Sequence, residues 1–163
     1  MDVRLDGRAA LITGSSRGLG YAMALKFAQS GADVAICGRR ADLLEEARAS
    51  LAAQSDGKVS AFVADVSEAD QVRALYDHST GELSKIDILV NNAGSSKTGN
   101  FEEITDEEFQ FDLDLKLFGA IRLARLVLPG MKERKWGRII NILNIGSRTP
   151  TPRGAPTHIT RAA

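Results

Sequence analysis

The sequence predicts an α/β fold with a parallel sheet, in a single domain of residues 1–163. Short apolar runs and longer amphipathic stretches alternate along the whole chain, which is the pattern of repeated βαβ units. The apolar runs, such as Ala9-Ala10-Leu11-Ile12, do not alternate with polar residues, as expected for strands buried on both faces. A chain of 163 residues is long enough to bury one hydrophobic core.

Composition excludes several classes of partner. Lysine plus arginine number 21, as do aspartate plus glutamate, so neither nucleic acid nor an anionic membrane surface is expected as a partner. No apolar run approaches the roughly 20 residues that span a bilayer. The N-terminus lacks the apolar segment of a signal peptide, and the lone Cys37 cannot form an internal disulfide. These features predict a cytoplasmic protein.

The first βα unit contains a glycine-rich turn. A strand is predicted at Ala9–Ile12, and the following helix carries Leu19, Met23 and Phe27 at helical spacing on its apolar face. Between them lies a Gly-x-x-x-Gly-x-Gly turn at residues 14–20. A strand, a glycine turn and a helix together direct backbone N–H groups and the positive helix end at a phosphate. The spacing predicts a phosphate-binding loop, with a tight turn that binds nothing as the alternative.

Two motifs together resemble the short-chain dehydrogenase/reductase family. Thr13-Gly14-x-x-x-Gly18-x-Gly20 resembles the family's cofactor loop, and Asn91-Asn92-Ala93-Gly94 follows the predicted fourth strand as in the family. The resemblance runs from about Leu5 to the last residue. It implies a doubly wound, Rossmann-like sheet in three layers with strand order 3-2-1-4-5, an NAD(P)-binding domain, a small-molecule carbonyl or alcohol substrate, and a homo-oligomer of two or four subunits.

The resemblance and the phosphate-site argument assign a set of cofactor positions. Asp65 and Val66 match the family's adenine-contacting pair, and Asn92 and Gly94 correspond to residues near the nicotinamide-side ribose. The Asn91 side chain is expected to tie neighbouring strands instead. The full set of expected cofactor-binding residues is Gly14, Ser16, Arg17, Gly18, Leu19, Gly20, Arg39, Arg40, Asp65, Val66, Asn92, Ala93 and Gly94.

The residues after the second strand indicate NADP rather than NAD. The strand Val34–Cys37 is followed by Gly38 and then by Arg39 and Arg40. This strand end meets the adenosine ribose, where an NAD enzyme carries a carboxylate. Two guanidinium groups suit the 2′-phosphate of NADP, and Arg17 adds positive charge to the same region. The alternative is that both arginines only begin a solvated helix.

The remaining elements follow in alternation. The first helix ends near Gly31, and Ser67 is expected to cap the third helix. The long helix that begins near Thr105 is apolar on more than one face, and in the family the corresponding helix packs against another subunit. The predicted elements are a helix at 41–54, a strand at 58–64, a helix to about 83, a strand at 86–90, the long helix to Leu128 before Pro129-Gly130, and a strand at 138–143.

All four of the family's catalytic positions are substituted. Family members use a serine after the fifth strand, a tyrosine, a lysine four residues later and an asparagine in the long helix. Alignment on the fifth strand places Asn144 at the serine, Thr157 at the tyrosine and Arg161 at the lysine, and Lys116 aligns with the asparagine. The family tyrosine transfers a proton, and a nearby cation lowers its pKa toward neutrality.

The substitutes retain polar chemistry. Asn144 can polarise a carbonyl with its amide, whereas the Thr157 hydroxyl is a far weaker acid than a phenol. Arg161 keeps the positive charge, and Lys116 can donate a proton if burial lowers its pKa. Ser147 is a weaker substitute for the family serine. No metal site is expected, because no second histidine and no cysteine lies at helical spacing from His78.

Two functions therefore remain open. The first is an NADP-dependent oxidoreductase with a divergent active site, in which Lys116 or an ordered water supplies the proton. The second is a catalytically inactive NADP-binding relative that acts as a sensor or scaffold. The family continues through further helices, two more strands and a substrate-covering loop, so the 163 residues are expected to be a fragment, with a naturally short protein as the alternative.

Overall fold

Five parallel strands form one sheet in the order β3-β2-β1-β4-β5. The computed structural model describes residues 3–96 and 98–163 of the chain. The predicted parallel sheet and the strand order 3-2-1-4-5 are thereby confirmed. The strands are β1 Ala9–Ile12, β2 Asp33–Gly38, β3 Val59–Val63, β4 Ile88–Asn91 and β5 Arg138–Asn141.

Helices connect the strands, and one long helical region carries a π-helical segment in its middle. This segment, Asp114–Phe118, joins two α-helices without a break. Short 3₁₀ turns lie at Phe101–Glu103 and Ile145–Ser147. The α-helices are α1 Gly18–Gln29, α2 Ala41–Ala52, α3 Ala69–Leu83, α4 Asp106–Leu113, α5 Gly119–Glu133 and α6 Ala155–Ala162.

Two buried apolar clusters lie on opposite faces of the sheet. One cluster joins α1 and α2 to one face, and Ala10 and Ile12 of β1 belong to it. The other joins α3 and α5 to the opposite face through residues that include Ala9 and Leu11. Successive β1 side chains thus enter opposite layers, which explains why the strand is apolar at every position. The predicted three-layer arrangement is confirmed.

The buried face of α1 differs from the prediction. Gly20, Ala24 and Ala28 are buried, whereas Leu19 is 59% exposed and Met23 is only partly buried. The reason is close packing at the start of the helix, since a Cβ on Gly20 would lie 2.3 Å from the carbonyl oxygen of Gly14. Small residues let the helix approach the sheet, and the larger side chains are displaced to its flanks.

The predicted cap of α3 is wrong. Glu68 is the N-cap residue and supplies no side-chain cap. Ser67 instead donates from its backbone N–H and its hydroxyl to the Asp65 carboxylate, at 3.0 and 2.7 Å. Aspartate side chains readily accept from the backbone two residues on, and this local turn competes with a cap.

The long helix begins as predicted and ends later. Thr105 caps α4 in a reciprocal pair with Glu108. The predicted end at Pro129-Gly130 is wrong, because α5 continues to Glu133 with Pro129 inside it. Arg134 follows the last turn and donates to the fully buried Asp87 carboxylate at 3.2 Å and to the Ile86 carbonyl at 2.8 Å. Tertiary contacts thus hold the last turn despite the missing proline N–H.

The site-forming segments all follow the carboxyl ends of parallel strands. The turns after β1, β2, β3, β4 and β5 meet at one edge of the sheet, where ligands bind in open α/β folds. Over residues 3–96 and 98–163, no helix combines the length and apolar character needed to cross a membrane.

Candidate functional site

The loop after β1 is closed on one side and open on the other. Gly14 has a φ of +63°, and a Cβ there would lie 2.8 Å from the Ala93 Cα, so only glycine fits. Gly18 has a φ of +61°, and apart from its two chain neighbours and the adjoining backbone of α1 no atom of the described residues lies within 4 Å of its Cβ position. The loop is therefore packed against the Asn91–Gly94 motif, while the entrance to α1 is uncovered.

The N-terminus of α1 has no side-chain cap. Arg17 is the N-cap residue and makes no capping hydrogen bond, and no acidic residue lies in the first turn. The first N–H groups of a helix have no partner within it, and they carry the positive end of the helix dipole. Together with the open space at Gly18, this arrangement can hold a phosphate group.

The two family motifs are tied together by Thr13 and Asn92. The Thr13 hydroxyl accepts from the backbone N–H groups of Asn92 and Ala93, both at 2.9 Å. The Asn92 side chain donates to the carbonyls of Thr13 and Gly14 at 2.9 and 3.0 Å. Both amide hydrogens of Asn92 therefore support the loop. The Asn91 side chain donates to the Asn141 Oδ1 at 2.9 Å and links β4 to β5, as expected.

A cleft of about 420 Å³ lies beside this loop, and we call it the glycine-loop cleft. Most of the expected cofactor positions line it, whereas Gly18, Leu19, Gly20 and Asn92 do not. The expected cofactor residues thus fall into two groups: those that line the cleft and those that form or support the loop beside it. The lining residues are Gly14, Ser16, Arg17, Cys37, Gly38, Arg39, Arg40, Ala64, Asp65, Val66, Ala93, Gly94, Ser95 and Leu115.

Charges at the β2 end of this cleft are partly paired. Arg39 Nη1 lies 3.6 Å from Asp65 Oδ2. Partial burial acts to raise the pKa of Asp65, but hydrogen bonds from Ser67 and the Arg39 charge outweigh it, so this pKa is lowered. Asp65 is therefore a carboxylate at neutral pH. Arg40 is exposed at the N-cap of α2 and no acidic partner is seen for it among residues 3–96 and 98–163.

A buried ion pair lies at the next cleft along the sheet edge. Lys116 Nζ lies 2.5 and 2.6 Å from the two carboxylate oxygens of Asp112, and it donates to Thr157 Oγ1 at 3.0 Å. The side chains of Lys116 and Asp112 are only 3% and 2% exposed. The hydroxyl of Thr160 also donates to Asp112, at 2.8 Å. Asp112 and Thr160 were not among the residues expected from the sequence, although an acid four residues before Lys116 is a detectable signal.

Burial lowers the pKa of Lys116 below its usual value, and the positive charge of Arg161 lowers this pKa further. The Asp112 carboxylate opposes both effects. Lys116 lies in the π-helical segment, a distortion that is frequent at functional sites.

Arg161 lies against the second motif. Its Nη1 donates to the Ile142 carbonyl at 2.6 Å, and its Nη2 lies 3.0 Å from the Cβ position of Gly94. Its Nε is buried, and no hydrogen-bond partner is seen for it among the described residues. Lys116 and Arg161 line a cleft of about 410 Å³, the Lys116 cleft, whose wall also includes Asn91 and Ala93.

The loop after β5 carries Asn144, the fourth residue expected at the catalytic positions. Asn144 is exposed and lines neither cleft, and its carbonyl accepts from the Ser147 hydroxyl at 2.8 Å. His158 packs against Gly146 and Gly154, where added Cβ atoms would meet its ring. The structure thus brings Lys116 into hydrogen-bond contact with Thr157 and into one cleft with Arg161, whereas Asn144 lies outside the lining of that cleft. In the part of the chain that is described, no three His, Cys, Asp or Glu side chains are arranged to hold a metal ion.

A family model described as short chain dehydrogenase matches residues 8–156. The chain belongs to the short-chain dehydrogenase family. The chain therefore has the family's fold, and the predicted family membership is confirmed.

Individual relatives agree with this assignment. Nodulation protein G from Rhizobium sp. (strain N33) is 39% identical over 148 residues, which are 91% of this chain and 59% of that protein. L-Sorbose reductase from Gluconobacter frateurii, complexed with NADPH and L-sorbose, has a TM-score of 0.96 at 36% identity, covering 99% of this chain and 62% of that one. A 7α-hydroxysteroid dehydrogenase complexed with NADH has a TM-score of 0.93 at 29% identity, covering 99% of this chain and 62% of that one. This short-chain dehydrogenase thus spans less than two thirds of the length of each relative.

The residues present fit a pyridine dinucleotide. The uncapped α1 N-terminus suits the pyrophosphate, and Gly14 and Gly18 leave room for close approach of a ligand to backbone. The arginines at the end of β2 suit a phosphorylated ribose. Of the two solved relatives above, the L-sorbose reductase is complexed with NADPH and the 7α-hydroxysteroid dehydrogenase with NADH.

Proposed function

We propose that this short-chain dehydrogenase is an NADP-dependent oxidoreductase that interconverts a carbonyl and an alcohol, with substituted catalytic residues. The observation that carries the proposal is that the two clefts share Val66, Ala93 and Leu115 in their walls, and that Gly94 of the glycine-loop cleft lies against Lys116 and Arg161. The Cβ position of Gly94 lies 3.6 Å from Lys116 Cε and 3.0 Å from Arg161 Nη2. An intact cofactor loop therefore adjoins a pocket that keeps an ammonium and a guanidinium group.

The proposed binding of the nucleotide rests on positively charged side chains and on the backbone N–H groups at the start of α1. The N–H groups at the start of α1 would hold the pyrophosphate, and Arg40, with Arg17 and Arg39, would hold the 2′-phosphate. Asp65 and Val66 would contact the adenine. The Ala93-Gly94 segment would form the floor near the nicotinamide, with Asn92 holding it to the glycine loop. Bound NADPH supplies a hydride to the carbonyl carbon, and the carbonyl oxygen then needs a proton.

We assign Lys116 as the proton donor. An ammonium group has three N–H bonds, and two of those on Lys116 can serve the Asp112 carboxylate oxygens. The third points at Thr157 Oγ1, and a substrate oxygen can take its place as acceptor or receive a proton through that hydroxyl. Arg161 would stabilise negative charge on the oxygen, and the exposed Asn144 would hydrogen-bond the substrate as it enters.

The cofactor preference is tested by calorimetry on the full-length protein. We expect tighter binding of NADPH than of NADH. Arg40→Ala should weaken the binding of NADPH about tenfold, equivalent to ~1.4 kcal/mol, and leave the affinity for NADH unchanged. Arg48→Ala is the matched control, because Arg48 lies on the same helix and pairs with Glu45. Equal binding of the two nucleotides to the unaltered protein would contradict the NADP assignment.

The reaction is tested by following NADPH oxidation with a panel of aldehydes, ketones and keto sugars. We expect turnover of at least one carbonyl class, and its loss in Lys116→Ala. Tight NADPH binding with no turnover of any carbonyl would reject the enzyme proposal.

A second candidate function is an NADP-binding sensor or scaffold without catalysis. The buried Lys116–Asp112 pair favours it, because a fully paired ammonium is a poorer acid than a free one. This candidate predicts NADPH affinity without hydride transfer. A reductase activity that Lys116→Ala abolishes would exclude it.

The proposal includes the protein's organisation. We propose one nucleotide-binding domain over residues 1–163, a small-molecule substrate and a homo-oligomer of two or four subunits. Exposed apolar side chains on α4, the π segment and α5, namely Phe111, Phe118 and Leu128, support the assembly. The lone and buried Cys37 supports a reducing, cytoplasmic location.

A further inference from the structure

We propose that Asp112 is a positioning residue of the active site, whose buried carboxylate holds the Lys116 ammonium in the pocket and directs its third N–H at Thr157 and the substrate oxygen. The inference rests on the proposed function, which makes Lys116 the proton donor. It assigns a role to a residue that lies outside the four aligned catalytic positions.

The geometry fixes the ammonium from one side. Both Asp112 oxygens lie within 2.6 Å of Lys116 Nζ, so the carboxylate engages the group in a forked manner. Asp112 is itself held, because Thr160 donates to its Oδ2 at 2.8 Å from α6. The remaining N–H direction of Lys116 leads to Thr157, which lies on the same helix as Thr160. Rotation of the lysine side chain would break the two shortest contacts first.

Electrostatics give Asp112 a task that a neutral residue cannot perform. A buried ammonium without an acidic partner loses its proton rather than remain charged. Arg161 makes this worse, because its positive charge acts on Lys116 in the same pocket. Asp112 is the negative charge that keeps Lys116 protonated and therefore able to act as an acid.

Among the residues that the structure describes, the charged and polar groups around the pair add no second acidic partner to Lys116. Arg161 is the charged group contributed by α6, whereas Asn91 and Asn141 are the uncharged polar groups contributed by β4 and β5. On α4, Glu107 and Glu108 line a neighbouring cleft together with Asp112, and Glu108 accepts from the Thr105 N–H. Within the ranges 3–96 and 98–163, the ion pairs of Lys116 are with Asp112 alone.

The test compares Asp112→Asn with the unaltered full-length protein by NMR of ¹³Cε-labelled lysine, without substrate. The Lys116 signal is identified by its loss in Lys116→Arg. We expect Lys116 to be charged at pH 7 in the unaltered protein. In Asp112→Asn its pKa should fall by about one unit or more, because an opposite charge in contact has been removed.

The same variants are compared in carbonyl reduction. Reduction needs a protonated donor, so the rate falls as pH rises through the pKa of Lys116. Asp112→Asn should therefore move the alkaline limb of kcat/KM to lower pH by the same amount as the NMR titration, and Asp112→Glu should restore its position. Asp114→Asn is the matched control, because Asp114 lies in the π segment and pairs with Arg122 instead.

The outcomes separate the two proposals. Turnover whose pH profile is unmoved in a folded, NADPH-binding Asp112→Asn overturns the role of Asp112. An unaltered protein in which Lys116 is neutral at pH 7 overturns it too, even if Asp112→Asn does not fold. Failure of NADPH to bind, or absence of turnover with any carbonyl, overturns the oxidoreductase proposal. A lower pKa of Lys116 in Asp112→Asn would still support the electrostatic effect of Asp112 on Lys116 in that case.

Discussion

Cys37 shows how a single side chain loses its ordinary chemistry in this fold. It lies in β2, is 1% exposed, and forms part of the wall of the glycine-loop cleft. Burial raises the pKa of its thiol to about 11, and the hydrogen bond associated with Gly14 only partly opposes this shift. The residue is therefore a small core side chain, although it adjoins a candidate binding site.

We predict that Cys37 resists alkylation in the folded protein. With a pKa of about 11, on the order of one thiol in a thousand is ionised at pH 8, and the thiolate is the reactive form. Iodoacetamide at pH 8 should label the protein only after unfolding in urea, as measured by intact mass. Labelling of the folded protein at the rate of free glutathione would contradict the prediction.

The sequence predicted which residues lie near the cleft better than it predicted which side chains pair with one another there. The positions of Gly14, Arg39, Arg40 and Asp65 along the motifs placed them at one cleft, and they do line it. The engagement of Arg39 by Asp65 was not foreseen, because it depends on where β3 ends relative to β2. Residues that lie 26 positions apart in sequence become neighbours only through the pairing of these two strands.

The helical region from α4 to α5 holds a buried ion pair. The Lys116–Asp112 pair spans one turn, at the junction of α4 and the π segment. Burying two charges costs desolvation free energy, and their attraction repays this cost only partly. Substitution of one partner alone therefore costs stability, whereas replacement of both partners by apolar residues costs little.

We predict that a single substitution at this pair destabilises the protein and that a double substitution does not. Lys116→Met should lower the free energy of unfolding by about 3–5 kcal/mol, because it leaves the Asp112 carboxylate buried and unpaired. Asp112→Val with Lys116→Met should be neutral or stabilising, since the Thr160 hydroxyl keeps the Pro156 carbonyl as acceptor. Urea unfolding measures both, and a double variant less stable than the single one would disagree.

We also predict that Pro129 weakens its own helix. Pro129 is exposed inside α5, and its ring supplies no N–H to the carbonyl one turn earlier. Pro129→Ala should raise the free energy of unfolding by about 1–3 kcal/mol. Glu133→Ala, at an exposed position in the same helix, serves as the control and should change stability by less than about 0.5 kcal/mol.

At the scale of the whole molecule, exposed apolar side chains form a stripe along one helical region. Phe111, Phe118 and Leu128 are 42%, 39% and 40% exposed. The three side chains lie in α4, the π segment and α5, in that order along the helical region. Such a stripe is typical of a helix that packs against another molecule.

We predict that Leu128→Ser weakens self-association. If the stripe forms the subunit interface, sedimentation velocity of the full-length protein should show an oligomer that Leu128→Ser shifts toward the monomer. Val63→Ser should leave the oligomer intact, because Val63 is 48% exposed but lies on β3 at the opposite edge of the sheet. A monomeric unaltered protein would remove the basis for the proposed assembly.

The sequence by itself determined the order of the five strands and of the helices between them, the glycine-rich turn and the family, because these depend on patterns between residues close together in the chain. The tertiary structure decided the buried face of α1, the continuation of α5 past Pro129, the use of the Asn92 amide within the loop, and the position of Asn144 outside the lining of the Lys116 cleft. It also decided the surroundings of the Lys116 ammonium, since Thr157 lies 41 residues from Lys116 and Thr160 lies 48 from Asp112. Packing of α6 against α4 creates those contacts, and no local pattern records which distant helix will supply them.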